Sequence, residues 1–196
     1  MSPKRLQLVA GLGNPGNTYR RTRHNAGFMV VEQLSDSFSI PFDKNKFNVI
    51  YGRGTIEGVD VILAKPQAFM NRSGSPVRDL SNFFKILCKD ILVVHDDIDL
   101  TLGRIKIKMK GGHGGHKGIR SLIDVFGNGE FARIRVGVGR SEARSVTDHV
   151  LGRFNPQEEL ILDRMIARAQ EAVVSYLMDG ITECMNQFNR KSELSD

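Results

Sequence analysis

Two runs in the sequence carry side chains able to handle protons. The first, from Gly11 to Gly27, reads GLGNPGNTYRRTRHNAG and sets Asn14, Tyr19, His24 and Asn25 among glycines. Imidazole is the side chain that titrates nearest neutral pH, so His24 is a candidate for acid–base chemistry if something holds its ring. The second is His95-Asp96-Asp97-Ile98-Asp99, directly after the apolar Ile91-Leu92-Val93-Val94. Carboxylates at the carboxyl end of a strand fall where ligands bind in α/β proteins. Asp96 follows the last strand residue, where position is most rigidly fixed, and is the candidate to orient a histidine. Turn capping by Asp97 and Asp99 is one other reading. A magnesium site from the trio is another, although the run lacks the loop pattern of a dedicated calcium site.

Two more runs could serve a substrate. In Lys65-Pro-Gln-Ala-Phe-Met-Asn-Arg-Ser-Gly74, Phe69 and Met70 flank Asn71. They are either core plugs or the apolar edge of a pocket around one amide. Further on, Arg104, Lys106, Lys108 and Lys110 alternate with Ile105, Ile107 and Met109. At the strand period of two, this puts the bases on one face and the apolar side chains on the other. Arg133 and Arg135 repeat the alternation over 132–139. A cationic strip on a sheet edge is a track for phosphates; the plain alternative is a solvated face. The glycine-rich arch between these strands carries His113 and His116.

The elements that must position these groups follow from the apolar spacing. Leu6, Leu8 and Val9 read as a short buried strand, and Phe28, Val31 and Leu34 predict a helix from about Ala26. Gly11-x-Gly13-x-x-Gly16 matches the dinucleotide-binding fingerprint, but that motif requires the helix to open on the glycines. Pro15 and a polar run delay it here, and no parallel second strand ending in an acid follows. The glycines instead let the backbone bend tightly. Residues 47–51 and 59–64 look like a hairpin, opened by Pro41 and broken by Gly52, Gly54 and Gly58. Ser75 and Pro76 predict a capped helix start, with Val77, Leu80, Phe84 and Leu87 as its apolar face. Ile119, Leu122 and Phe126 mark another helix, ended by Gly127. The polar segment 140–154, with His149, Val150 and Leu151, reads as a connecting loop or a lid. Asn155, Pro156 and Glu158 predict a capping box. The helix they start buries Leu162, Ile166, Ala169, Val173 and Leu177 and stops at Gly180; a shorter helix over 181–190 and a frayed polar tail close the chain.

Length and composition indicate one domain over residues 1–196, with its core in about 6–190 and no repeat or linker. With 40% hydrophobic and 26% charged residues the chain is of ordinary globular type. No apolar run reaches membrane-spanning length, and residues 1–10 lack a signal-peptide core. Cys88 and Cys184 show no paired or metal-like spacing and read as reduced thiols of a cytoplasmic protein. A net charge of +6 tilts the field toward an anionic partner such as nucleic acid.

In order along the chain stand Gly11-Leu-Gly-Asn-Pro-Gly with Tyr19 and Thr22-Arg-His-Asn-Ala-Gly27, Lys65-Pro with Phe69-Met-Asn-Arg-Ser-Gly74, His95-Asp96-Asp97-Ile-Asp-Leu100, and Gly114-Gly-His116 with Gly118. Together these motifs resemble bacterial-type peptidyl-tRNA hydrolase from about residue 6 to 190. The resemblance implies an α/β fold: a single domain with a mixed, twisted β-sheet flanked by helices. It implies a monomeric cytoplasmic enzyme that needs no metal or cofactor. That enzyme cleaves the ester joining a peptide to the 3′-terminal ribose of tRNA and so recycles peptidyl-tRNA.

The resemblance also implies roles. His24 would be the general base acting on water, with Asp96 holding the ring's other nitrogen. Asn14 and Asn71 would steady the carbonyl oxygen as it becomes negative. No Ser or Cys nucleophile stands in these motifs, which fits direct attack by water. Tyr19 would pack near the ester, Phe69 and Met70 would line the peptide side, and His116 and Lys117 would meet the substrate. Lys106, Lys108 and Arg135 would grip phosphates of the acceptor stem and 3′ end. One departure stands out: the family pattern Gly-Gly-His-Asn-Gly reads Gly114-Gly115-His116-Lys117-Gly118 here. Lysine donates but cannot accept, so Lys117 is expected to meet a tRNA phosphate or the substrate backbone with activity kept. The competing readings are a non-catalytic RNA-binding relative and, for His24, a purely structural histidine.

Overall fold

In a computed structural model of the chain, residues 5–190 are described, so the polar tail beyond them lies outside the described residues. Seven strands form one sheet in the order β2-β3-β4-β1-β5-β7-β6. Its centre is parallel, from β4 (Val59–Pro66) through β1 (Gln7–Gly11) and β5 (Ile91–Asp97) to β7 (Ala132–Gly137). On one side β2 (Lys44–Lys46) and β3 (Val49–Ile56) join antiparallel, and on the other β6 (Ile105–Lys108) does the same. The sheet is therefore mixed, as expected. Its central strands are apolar in successive residues because both faces are covered. Val9, Leu63, Leu92 and Val94 pack with α1 (Ala26–Phe38) and α5 (Pro156–Phe188). Leu8, Ile62, Ile91 and Val93 pack with α2 (Gly74–Phe83) and α3 (Lys117–Phe126).

Local signals account for most element ends. The Asn155–Glu158 capping box opens α5, and Gly180, with φ 82° and ψ 176°, interrupts it. The last helix is thus the separate piece the sequence predicts. Gly127 ends α3 in the left-handed conformation. On β6, Ile105 and Ile107 are buried while Lys106 and Lys108 are exposed.

Four features differ from the sequence reading. First, α2 starts one residue before Ser75 and has no side-chain cap. Ser73 donates back to the Met70 carbonyl, and the Gly74 N–H is satisfied by Ser121 Oγ on α3 at 3.0 Å. Second, Gly52 and Gly54 lie inside β3, where the chain at Ile40 and Pro41 crosses so closely that a Cβ on Gly52 would sit 2.4 Å from the Pro41 carbonyl oxygen. Third, 140–154 contains a helix, α4 (Val146–Leu151), whose first turn is capped by Ser145. Fourth, the glycines of the first run serve close approach more than bending. Of Gly11, Gly13 and Gly16 only the last has positive φ, and a Cβ on Gly11 would meet the Gly27 carbonyl oxygen at 2.3 Å.

Candidate active site

The carboxyl ends of β4, β1, β5 and β7 open into one cleft of about 800 Å³. This is where a parallel sheet with helices on both faces offers a crevice, since the loops after β1 and β4 lead to opposite sides.

His24 sits in a 3-10 turn (Arg23–Asn25) that runs directly into α1. The turn is anchored from behind. Arg23 is buried, its guanidinium bonds Glu158 at 2.7 Å and the Arg153 carbonyl at 2.8 Å, and it lies over the Phe154 ring. On the front, His24 Nδ1 meets both oxygens of Asp96, at 2.9 and 3.0 Å. Asp96 is buried near the end of β5 and also receives His116 Nε2 at 2.9 Å. His116 Nδ1 accepts the N–H groups of Gly118 and Ile119, capping α3, so Nε2 must carry the ring's proton and donate it to Asp96. With its own Nδ1–H held by the same carboxylate, His24 turns Nε2 to the cleft, where no described protein group bonds it.

Charge and burial compete here. Burial pushes the His24 pKa down, the Asp96 carboxylate pushes it up by charge and hydrogen bond, and the nearby Lys117 pulls it down again. The net shift is upward from 6.5. Burial would raise Asp96, but its two imidazole partners hold the carboxyl far below the ordinary range. His95 is buried, which pushes its pKa well below 6.5, and its ring packs edge-on against His116 at 4.7 Å. His24, Asp96 and His116 are close enough to raise the question of a metal. The His116 tautomer answers it chemically: a nitrogen that must carry a proton to satisfy Asp96 has no lone pair for an ion.

The amides come from two loops. Asn14 is clasped by Asn25: its backbone N–H donates to Asn25 Oδ1 at 2.8 Å and its carbonyl accepts from Asn25 Nδ2 at 2.9 Å. Asn14 Oδ1 accepts the Met70 N–H, which leaves Nδ2 as its uncommitted donor. Asn71 lines the cleft from the 3-10 turn Met70–Arg72. Tyr19 and Phe69 meet edge-on at 6.5 Å, with Phe69 57% exposed at the rim and Met70 buried beside Gly118.

The basic strip is partly in reach. Lys108, Arg135 and Lys117 line the cleft, whereas Lys106 stands beyond it on the exposed face of β6, opposite Arg135. Arg135 is ion-paired with Asp97 through Nε, with its terminal nitrogens unengaged among the described residues. Arg133 is buried and holds the carbonyls of Gly111, Gly112 and Gly129, so it shapes the arch and is not part of an open track.

Sequence reasoning missed the Asn25 clasp, His95 and Arg133 as supports, and the wall formed by Val146, Val150 and Leu151 of α4. Only α4 left a local signal, Ser145 three residues before Asp148, the pattern of a helix cap.

A buried carboxylate that turns an imidazole toward a cleft, with side-chain amides beside it and cations at its edge, is an arrangement able to move a proton beside a polar, negatively charged group. The family model for peptidyl-tRNA hydrolase matches residues 8–195, and the chain belongs to that family. It is 45% identical over 187 residues to a peptidyl-tRNA hydrolase of Bacillus licheniformis, covering 95% of this chain and all of the relative. It is 44% identical over 184 residues to one from Caldanaerobacter subterraneus, covering 94% of this chain and all of that one. A crystal structure of peptidyl-tRNA hydrolase from Acinetobacter baumannii matches with a TM-score of 0.89 and 41% identity, covering 97% of each chain.

Proposed function

We propose that the chain hydrolyses the ester between a peptide and the 3′-terminal ribose of tRNA, with His24 as general base. The observation that carries this reading is the contact of His24 Nδ1 with Asp96 at 2.9 Å, which leaves Nε2 facing the cleft. Nε2 takes a proton as water adds to the ester carbonyl, and Asp96 stabilises the imidazolium. The uncommitted Asn14 Nδ2 and the Asn71 amide donate to the oxygen that gains charge. On collapse the carbon–ribose oxygen bond breaks, and the imidazolium returns its proton to the departing ribose oxygen. The products are a free peptide acid and tRNA.

His116 holds Asp96 from its other side. Tyr19 and Phe69, with Met70 beneath, form the apolar wall for the peptide. Lys106, Lys108 and Arg135 meet phosphates of the acceptor stem and 3′ end, contacts that position tRNA without reading bases. Water activated by imidazole needs no metal or cofactor. The enzyme works as a monomer in the cytoplasm, as the family resemblance implies, and its two cysteines are free, as a reducing compartment keeps them.

Turnover of peptidyl-tRNA by the wild type and by His24→Ala tests this. The substitution should lower kcat by about 10²–10⁴-fold, the range of a positioned base. Equal rates in the two proteins would remove His24 from the reaction, and no turnover by the wild type would leave the RNA-binding reading.

A further inference from the structure

Lys117 is the first residue of α3 and lines the cleft with His24, Asn14 and Asn71. Its backbone position is fixed by its neighbour, because His116 caps the next two N–H groups through Nδ1 and reaches Asp96 through Nε2. The carboxylates that line the cleft are already committed: Asp96 to two imidazoles and Asp97 to Arg135. Lys117 itself has no ion pair or hydrogen bond from its ammonium among the described residues, so a cation stands uncompensated beside the base. It also stands apart from the strip. Lys106 and Lys108 belong to edge strand β6, which β7 separates from the Asp96 strand, whereas Lys117 adjoins the residue bonded to Asp96.

Resting on the reading above, we propose that Lys117 is a catalytic residue of the ester cleavage, its ammonium holding the oxygen that becomes negative when water adds to the carbonyl. As the water–carbon bond forms, the carbonyl electron pair moves to that oxygen and His24 takes the water proton. Lys117 keeps all its protons and balances the new charge until the pair returns and the ribose oxygen leaves. A full charge beside developing negative charge makes a stronger hydrogen bond than a neutral amide does.

The same ammonium opposes protonation of His24. The other groups around the ring leave it that role. Asp96 and the buried His95 come from β5, His116 adjoins α3, and α4 presents only the uncharged Val146, Thr147, Val150 and Leu151 to the cleft. Arg23, in the same turn, is paired with Glu158, and α1 offers no charged group before Glu32. Lys117 lines the cleft without an ion pair among the described residues, and it is the cation whose charge acts on the His24 ring.

The test uses the full chain with Lys117→Met, Lys117→Gln and Lys117→Arg on two substrates, peptidyl-tRNA and an N-blocked aminoacyl-adenosine without phosphate. Lys117 is exposed at a helix start, so these changes leave the core intact, and thermal unfolding verifies that. The Met and Gln variants should lose about 10²-fold in kcat on both substrates, as when a donor to the developing charge is removed. Their acid limb of kcat/KM should move to higher pH, because without the ammonium the imidazole protonates more readily. Lys117→Arg should keep most of the rate. A loss seen only with tRNA, and in KM, would make Lys117 a phosphate contact and overturn the proposal. Unchanged kcat with an unmoved acid limb would overturn it as well. A wild type inactive on both substrates would instead remove the hydrolase reading on which it rests.

Discussion

At His24, burial and the Asp96 carboxylate act in opposite directions, and the sign of the outcome sets the pH dependence. Burial and Lys117 lower the imidazole pKa, while Asp96 raises it by more, so the folded value lies above 6.5. The acid limb of the wild-type rate should therefore have its midpoint above that value. Asp96→Asn removes the raising influences and leaves the lowering ones, so the limb should move below it. The amide can also bond the wrong ring tautomer, and kcat should drop about 10²–10⁴-fold. Rate profiles of the two proteins from acid to neutral pH decide this, and a limb that stays in place or rises would show that Asp96 is not the ring's partner. Stability follows the carboxylate separately. Asp96 is ordinarily half-protonated at about 3.8 but is held far lower in the fold. Its stabilisation is thus complete above that pH and is lost only as strong acid protonates it in place.

The elements hold these groups by approaching closer than side chains permit. Gly27, in the first turn of α1, lies against the end of β5, where a Cβ would lie 2.3 Å from the Val94 carbonyl oxygen and 2.5 Å from the Leu12 nitrogen. Gly180, at the break in α5, has nothing within 4 Å and demands only its backbone angles, φ 82° and ψ 176°. Gly27→Ala should therefore destabilise the fold by at least about 3 kcal/mol and displace His24. Gly180→Ala should cost about 1–3 kcal/mol and leave activity intact. Denaturant midpoints and turnover measure both, and equal losses would mean that the α1 contact is not what seats the active turn. The same contrast explains what the sequence could disclose. The β6 strip and the capping box of α5 are local patterns, so alternation and spacing revealed them. The six residues of α4 are too few to show a helical period, which left Ser145 and Asp148 as the only trace. Gly52 and Gly54 read as breaks because the crossing of Ile40 is a tertiary fact. His24 and Asp96 were paired by resemblance and by the strand-end position of Asp96. What joins them is the adjacency of β1 and β5, which no local pattern encodes, and the Asn25 clasp is likewise formed only on folding.

Across the whole molecule, the net charge of +6 matters through where it stands exposed. Lys106 and Lys108 are exposed on the edge strand of the sheet, Lys108 at the lining of the cleft and Lys106 beyond it. Phosphates held there would displace condensed counterions, so kcat/KM on peptidyl-tRNA should fall steeply with salt, by about 0.9 logarithmic units per decade for each phosphate held in a duplex. Lys106→Ala and Lys108→Ala should each flatten that slope by about 1, while a short ester substrate should respond little to salt in any of the proteins. Arg135→Ala is a poorer probe of the same strip. It strands the half-hidden Asp97 carboxylate without its partner, and losing a buried charged bond costs about 1–3 kcal/mol of stability in addition to any tRNA contact. The two lysines carry no such second duty, since neither takes part in an ion pair among the described residues. If their removal left the slope unchanged, or weakened the short ester as much as tRNA, the strip would be a solvated face. The tRNA would then have to be held by other cations of the cleft, among them Arg135 and Lys117.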